Sequence, residues 1–187
     1  MAGSARGRRL VTPVGTEVRP TSDRVREALF NSLGSLDAVV GERVVDLFAG
    51  TGALGIEALS RGAEHAVFVD TSARALEAVR DNLAACGMED RARVVRADAS
   101  GHLRSTVEAV DLVLADPPYA FDGWPELLAQ AAVVAPGGLV VVESDRPVAA
   151  VAPAAVLRER RYGGTVVTII SNAGARPPDS PDREEPT

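Results

Sequence analysis

The run Asp116-Pro117-Pro118-Tyr119, inside “VDLVLADPPYAF”, joins a carboxylate, two residues without a backbone N–H and an aromatic ring. A Pro-Pro corner after a strand is stiff and donates nothing. It presents acceptors: the carbonyls of Ala115, Asp116 and Pro117, together with the Asp116 carboxylate. Those acceptors suit the N–H groups of a planar amine. Its lone pair, normally delocalised into a ring, is then turned toward an electrophilic carbon. Tyr119 offers a face on which a base taken out of its helix can stack. If the electrophile brings its own driving force, alignment is the protein's main task and no strong general base is needed. A hydride transfer has no evident use for acceptors here.

A second constellation lies upstream in “DLFAGTGALGIEALSRG”, Asp46 to Gly62. Gly50-Thr51-Gly52-Ala53-Leu54-Gly55 is a G-x-G-x-x-G run between a strand ending at Phe48 and a helix opening near Ala53. Glycines there let backbone N–H groups approach a ligand closely. Asp70 ends the next strand, 20 residues after Gly50, and suits a ribose diol. NAD and S-adenosylmethionine both carry such a ribose, so Asp70 does not separate them. Asp46, inside the first strand, would repel a pyrophosphate and attract an ammonium. Asp98, ending the third strand, is placed to accept from the exocyclic amine of an adenine. A glycine trio alone can be a mere turn; strand, loop, helix and second-strand acid in register point to a nucleotide-like cofactor.

These residues need a scaffold, and the rest of the chain reads as one. “RVVDLF”, “HAVFVD”, “ARVVRAD”, “VDLVLAD” and “GLVVVES” are apolar strand runs. Between them lie helical segments: “ALGIEALSRG”, “SARALEAVRDNLAACG” capped by Ser72 and closed by Gly87, “ASGHLRSTV” and “WPELLAQAAVV”. Near-continuous Val/Leu strands separated by helices predict a parallel sheet covered on both faces. “AVLRERRYGGTVVTIIS” breaks the rhythm: two strands joined through Gly163-Gly164 must be antiparallel. The expected fold is therefore α/β, Rossmann-like, with a mostly parallel seven-stranded sheet and an antiparallel C-terminal hairpin at one edge. Before it, residues 1–7 are expected to be disordered, and a hairpin is expected near 8–12 and 15–19. A helix capped by Thr21 or Ser22 should bury Val25, Ala28, Leu29 and Leu33 and stop at Gly34. The chain divides into an arm (1–20), a catalytic domain (21–171) and a Pro-rich charged tail (172–187) expected to be disordered.

The 187 residues, 46% hydrophobic, fit one domain with a sizeable core. No apolar run is long enough to span a membrane, and no apolar stretch follows the basic N-terminus as in a secretory signal. One cysteine and two histidines exclude an internal disulfide and argue against a Cys/His metal site. A cytoplasmic protein without membrane attachment is expected, acting as a monomer. All basic residues are arginine, and the total charge is −6. Residues 1–26 nonetheless hold six arginines against two acids, leaving +4 there and −10 on the remainder. A basic arm on an acidic body can engage a polyanion locally, although a solvated tail has the same composition.

Residues 43–171 resemble a class I S-adenosylmethionine-dependent methyltransferase, and “DPPY” resembles the [DNS]-P-P-[YF] motif of enzymes that methylate exocyclic amines and amides. “RPTSDRVREALFN”, followed by “DLFAGTGALGIEALSRGA” and “DPPY”, is similar to the RsmD family. Those bacterial enzymes methylate N2 of a guanine in 16S rRNA, at position 966 in reference RNA numbering. The resemblance implies S-adenosylmethionine as cofactor and 16S rRNA, within the small ribosomal subunit or its precursor, as partner. It implies that Asp46, Gly50, Gly52, Asp70 and Asp98 bind the cofactor, with Phe48, Ala49, Thr51, Ser72 and Ala99 beside them. Asp116, Pro117, Pro118 and Tyr119 would hold the guanine. The hairpin and “RPTSDRVRE” would help form the RNA surface, with Arg6, Arg8, Arg9, Arg19, Thr21, Arg24 and Arg26 as candidates. Arg24 or Arg26 could instead pair internally, with Asp70 or Asp46.

Other residues have bland readings at least as good. Cys86 reads as packing and His102 as a surface helix residue, or else a neighbour of the adenine. Trp124 reads as a packing residue at a helix start, or a border of the base pocket. Arg158 to Arg161 either extend an RNA face or protect an edge strand. Other acceptors remain open, namely DNA adenine, a tRNA base or a glutamine amide, as does a non-catalytic nucleotide-binding module.

Overall fold

A computed structural model describes residues 1–8, 10, 11 and 23–172. The expected hairpin, Arg9, Arg19, Thr21, the Thr21/Ser22 cap and residues 173–187 lie outside the described residues. Among the described residues, seven strands form one sheet: β1 (Arg43–Leu47), β2 (His65–Asp70), β3 (Ala92–Arg96), β4 (Leu112–Ala115), β5 (Leu139–Ser144), β6 (Ala155–Tyr162) and β7 (Thr165–Ser171). Their order is β3-β2-β1-β4-β5-β7-β6. β1 to β5 are parallel, and β7 runs antiparallel to both β5 and β6. The expected edge hairpin is present, with its second strand on the inside.

Among the described residues, five α-helices cover the sheet: α1 (Asp23–Gly34), α2 (Ala53–Ser60), α3 (Ala73–Cys86), α4 (Ala99–Ser105) and α5 (Trp124–Val134). α3 begins where Ser72 accepts from the Ala75 N–H at 3.3 Å and ends at Gly87, whose φ of +66° suits glycine. α1 buries Val25, Leu29 and Leu33 as expected, with Phe30 taking the place predicted for Ala28. One face of the sheet packs Val44, Phe68, Leu114, Val141 and Val167 against α1 to α3. The other packs Val45, Val113, Val140, Val142 and Ile170 against α4 and α5. Among the described residues, no helix is long and apolar enough to cross a membrane.

Two expectations need correction. Residues 1–7 are ordered: Gly3–Ala5 form a 3-10 turn and Ala5 is buried. The Ala2 N–H donates to both carboxylate oxygens of Glu57, each at 3.2 Å, and the Ala5 N–H to Ser60 Oγ at 2.8 Å. This docking rests on backbone groups meeting buried polar side chains of α2, so no local hydrophobic pattern announces it. Asn172, expected to open the tail, instead closes α5: its Nδ2 donates to the carbonyls of Ala131 (3.3 Å) and Ala135 (2.9 Å).

Candidate active site

β1 lies between β2 and β4, and the helices that follow β1 and β4 cover opposite faces of the sheet. This is a topological switch point, where open α/β sheets leave a crevice beyond the strand ends. The register pairs Leu47 with Val69 and with Ala115. The glycine loop, Asp70 and the Asp116-Pro117-Pro118-Tyr119 corner therefore emerge side by side from adjacent strands.

The loop takes a shape that few sequences tolerate. Phe48, Gly50 and Gly52 have φ of +58°, +55° and +77°. For Phe48 the left-handed region costs about 1 kcal/mol or more. Tertiary contacts offset that cost: the Ala49 N–H reaches the Val69 carbonyl at 3.0 Å. The Phe48 ring meets Phe121 edge-on at 5.3 Å, and Phe121 meets Trp124 at 4.9 Å. An aromatic ladder thus ties the glycine loop to the segment after the Pro-Pro corner. Trp124 is buried within that ladder and packs at the start of α5.

Gly55 serves a different need. A Cβ there would stand 2.4 Å from Phe68 Cε1 and 3.0 Å from Asp46 Oδ2. Only glycine lets α2 lie this close to β2 and lets its N–H reach Asp46 Oδ2, at 2.9 Å. Asp70 fixes the neighbouring loops: Oδ2 accepts from the Gly50 N–H (2.9 Å) and Oδ1 from the Ser72 N–H (2.8 Å). Each oxygen keeps a lone pair for a further donor. Asp98 caps α4 by accepting from the Gly101 N–H at 2.7 Å and is exposed, with Ala99 buried behind it. Ala49 and Thr51 are buried in the loop.

Asp46, Asp70 and Asp116 share one face of the sheet by strand alternation. Asp46 is buried, and its pKa rises from the ordinary 3.8 to about 8. Burial is the main cause, the charges of Asp116 and Asp70 add to it, and the Gly55 N–H opposes it. The crevice is therefore short of positive charge. A cationic ligand would relieve it, whereas the pyrophosphate of NAD would aggravate it.

At the corner, Asp116 is half-buried, Pro117 is buried, and Pro118 and Tyr119 are exposed. The Tyr119 hydroxyl lies 3.4 Å from Thr165 Oγ1, at the start of β7. The Phe121 N–H donates to the Pro118 carbonyl at 2.8 Å. Arg146, just after β5, clamps this loop: Nη2 donates to the Phe121 carbonyl (3.0 Å) and Nη1 to the Tyr119 carbonyl (3.4 Å). Nothing in the spacing of “ESDRPV” marks Arg146, because its partners are backbone carbonyls far away in sequence.

Asn82 is a second residue that sequence reasoning passed over. It is buried on α3, where its Oδ1 accepts from the Val11 N–H at 2.7 Å. Its Nδ2 donates to the Val11 carbonyl (3.1 Å) and the Thr51 carbonyl (3.0 Å). One amide thus joins the N-terminal segment to the glycine loop. The available signal was a polar residue within the apolar stripe Ala75, Leu76, Ala78, Val79, Leu83. Glu57, an acid in the otherwise apolar “ALGIEALS”, carried the same kind of signal.

Glu57 also corrects the reading of Arg26. Arg26 is 6% exposed; its guanidinium lies 2.6 Å from Asp23 and 3.5 Å from buried Glu57. Glu57 pairs with Arg61 as well, at 2.7 Å. Turning Arg26 outward to a phosphate would remove one of the two cations beside the buried Glu57 carboxylate. Arg26 is a structural cation whose partner is Glu57, not Asp46. Arg6, Arg8 and Arg24 are exposed. Ala5 bonds to Ser60, the last residue of α2, so Arg6 lies at the end of α2 away from the glycine loop.

Cys86 packs against the core, and burial pushes its thiol pKa up. His102 lies one turn into α4, its backbone N–H donating to the Asp98 carbonyl at 2.9 Å. It lines a cleft of about 300 Å³ with Arg43, His65, Arg93 and Glu108, toward the amino-terminal halves of β1 to β3. Burial lowers the pKa of both histidines. Among the described residues, no cluster of His, Cys, Asp or Glu could hold a metal ion.

Residues 1–171 match a family profile described as “Conserved hypothetical protein 95”. The chain is 37% identical over 183 residues to “Putative rRNA methyltransferase YlbH” of Bacillus subtilis, covering 93% of this chain and 98% of that protein. It is 36% identical over 148 residues to “Ribosomal RNA small subunit methyltransferase D” of Escherichia coli K12, covering 78% and 73% respectively. A solved structure titled “Putative methyltransferase yhhF from Escherichia coli” superposes with a TM-score of 0.81 at 32% identity, covering 94% of this chain and 97% of that one.

Proposed function

Because the chain belongs to the Conserved hypothetical protein 95 family, the RsmD family, over residues 1–171, we propose that it methylates N2 of a guanine in small-subunit rRNA, position 966 in reference numbering, from S-adenosylmethionine. The observation that carries this reading is the β1–β4 register, which sets the glycine loop beside the Asp116-Pro117-Pro118-Tyr119 corner. When bound, the cofactor supplies a methyl group on a positively charged sulfur.

The residues present suit that group. Gly50 and Gly52 carry the loop through left-handed backbone just beyond β1, and Asp46 lies in a crevice lacking positive charge. Asp70 would take the ribose hydroxyls on its remaining lone pairs. Asp98, already capping α4, would take the adenine amine. Ser72 and Ala99 border these positions, and Phe48, Ala49 and Thr51 shape the loop.

At the corner, the Asp116 carboxylate and the Pro117 carbonyl would accept the two N–H groups of the guanine amine. Holding both hydrogens rotates the nitrogen lone pair out of conjugation and toward the cofactor side of the crevice. Tyr119 stacks on the extruded base, and Arg146 keeps the Tyr119 carbonyl in place. Alignment of this kind is worth several kcal/mol of barrier. Arg6, Arg8, Arg9, Arg19, Thr21 and Arg24 remain candidates for the RNA backbone; Arg26 does not.

Labelled cofactor, incubated with purified protein and separately with small subunits, naked 16S rRNA, tRNA, DNA and cell extract protein, tests the acceptor. Label in small subunits or 16S rRNA, mapped by mass spectrometry to the N2 of one guanine, is expected. Label confined to DNA, tRNA or protein would overturn the reading, as would stabilisation by NAD but not by S-adenosylhomocysteine in a thermal-shift assay.

A further inference from the structure

The basic run Arg158-Glu159-Arg160-Arg161 on β6 divides into two parts. Arg158 is committed to the fold: Nη1 donates to the Ser32 and Ser35 hydroxyls, both at 2.8 Å, and anchors the end of α1. Arg160 and Arg161 are exposed, and among the described residues neither side chain has a hydrogen bond or ion pair. Other arginines do have such partners: Arg26, Arg43, Arg61, Arg104 and Arg146 each face an acid.

Their place in the sheet is informative. Because β7 is antiparallel to β5, the turn between β6 and β7 lies at the carboxyl edge of the parallel strands, the edge that holds the crevice. Tyr162 pairs with Thr165, Arg161 with Val166 and Arg160 with Val167. Thr165 is the residue whose hydroxyl lies 3.4 Å from that of Tyr119. Arg160 and Arg161 are thus one strand across, and one to two residues along, from the support of Tyr119. That is less than about 10 Å between backbones at ordinary strand spacings. Alternation sends Arg160 to the face that carries α1 and Arg161 to the opposite face. They straddle the edge, with Glu159 the one acid between Arg158 and Arg160.

We propose that Arg160 and Arg161 form an RNA-backbone contact on the β6 edge, gripping phosphates next to the nucleotide held at Tyr119. This rests on the function proposed above. Edge-strand protection explains a charge on β6 but not why two unpaired arginines stand at the end beside the target site while the third is tied down. The guanidinium fork suits phosphate oxygens.

The test compares wild type with Arg160→Ala/Arg161→Ala and with Arg160→Lys/Arg161→Lys. Three quantities are read: S-adenosylhomocysteine affinity, RNA affinity against salt concentration, and methylation kinetics. If both arginines contact phosphate, the alanine pair lowers the slope of log K against log salt by about 1.4–1.8 and RNA affinity roughly 30-fold near 0.1 M salt. KM for RNA rises correspondingly, while kcat at saturating RNA and cofactor affinity stay near wild type. The lysine pair retains most of the affinity. An unchanged salt slope with active wild-type RNA methylation overturns this inference and leaves the proposed function standing. So does a change confined to aggregation. Wild type that methylates no RNA overturns both.

Discussion

Replacing Asp46 with asparagine separates the cost of a buried acid from its use. In the folded protein the Asp46 carboxyl titrates near 8, against an ordinary 3.8. Below about pH 4 both folded and unfolded chains hold the proton, and the group exacts no penalty. As pH rises, the unfolded chain releases its proton first. The folded state then binds more protons, so stability falls with pH, by about 1.4 kcal/mol per unit, until the folded group also ionises near 8. By pH 7 the penalty approaches ~4 kcal/mol as an upper bound. Asparagine is neutral throughout, and its amide oxygen still accepts the Gly55 N–H. Asp46→Asn should therefore be more stable than wild type without ligand, by a margin that widens from pH 5 to 8. At this chain length the widening corresponds to about 3–5 °C in Tm per pH unit. Thermal denaturation of both proteins across that range measures it. Calorimetry in buffers of different ionisation enthalpy supplies the second half. Wild type should release a proton when S-adenosylhomocysteine binds at pH 7, because the ligand's ammonium favours the carboxylate. The variant should bind more weakly and release none. Parallel Tm–pH curves for the two proteins would refute the claim that Asp46 is a destabilised acid held for a cation.

Three further perturbations probe separate parts of the site. Asp116→Ala should abolish methyl transfer with little change in cofactor affinity, and Asp116→Asn should keep partial activity because an amide oxygen still accepts; single-turnover assays with equilibrium dialysis measure both. Gly55→Ala places a methyl within 2.4 Å of Phe68, an overpacking worth about 1–3 kcal/mol that should lower Tm by roughly 5 °C and weaken cofactor binding. Arg146→Ala frees the Tyr119 and Phe121 carbonyls; kcat should fall about 10-fold with cofactor affinity unchanged, and Arg146→Lys should recover only part because one ammonium replaces a two-pronged clamp.

Features with local causes were legible before the structure. Ser72 and Gly87 bound α3 as their capping chemistry requires, and α5 occupies Trp124–Val134 as its pattern indicates. The valine runs of β1, β4 and β5 are buried throughout most of their length, as a sheet covered on both faces demands. Features with distant causes were not. Whether β6 or β7 would sit inside the hairpin depends on competition for the β5 edge, and only β7 carries seven consecutive buried residues. Arg26 was an RNA candidate because it lies in “RPTSDRVRE”, and arginine is seldom buried. Its partner Glu57 is 31 residues away, and the clue lay in that acid's apolar helix rather than in the arginine. Arg146 acts on carbonyls, which carry no sequence signature.

The second strand of the hairpin is not the one at the border of the sheet. β7 slots between β5 and β6, and the hydroxyl of its first residue, Thr165, lies 3.4 Å from that of Tyr119. On the ribosome, Val140 to Val142 must therefore wait until β6 and β7 have emerged before gaining a second neighbour. A product cut short before Thr165 would display β5 as an open, apolar border able to recruit foreign strands. One strand thus finishes the crevice and removes the hazard of self-association in the same event.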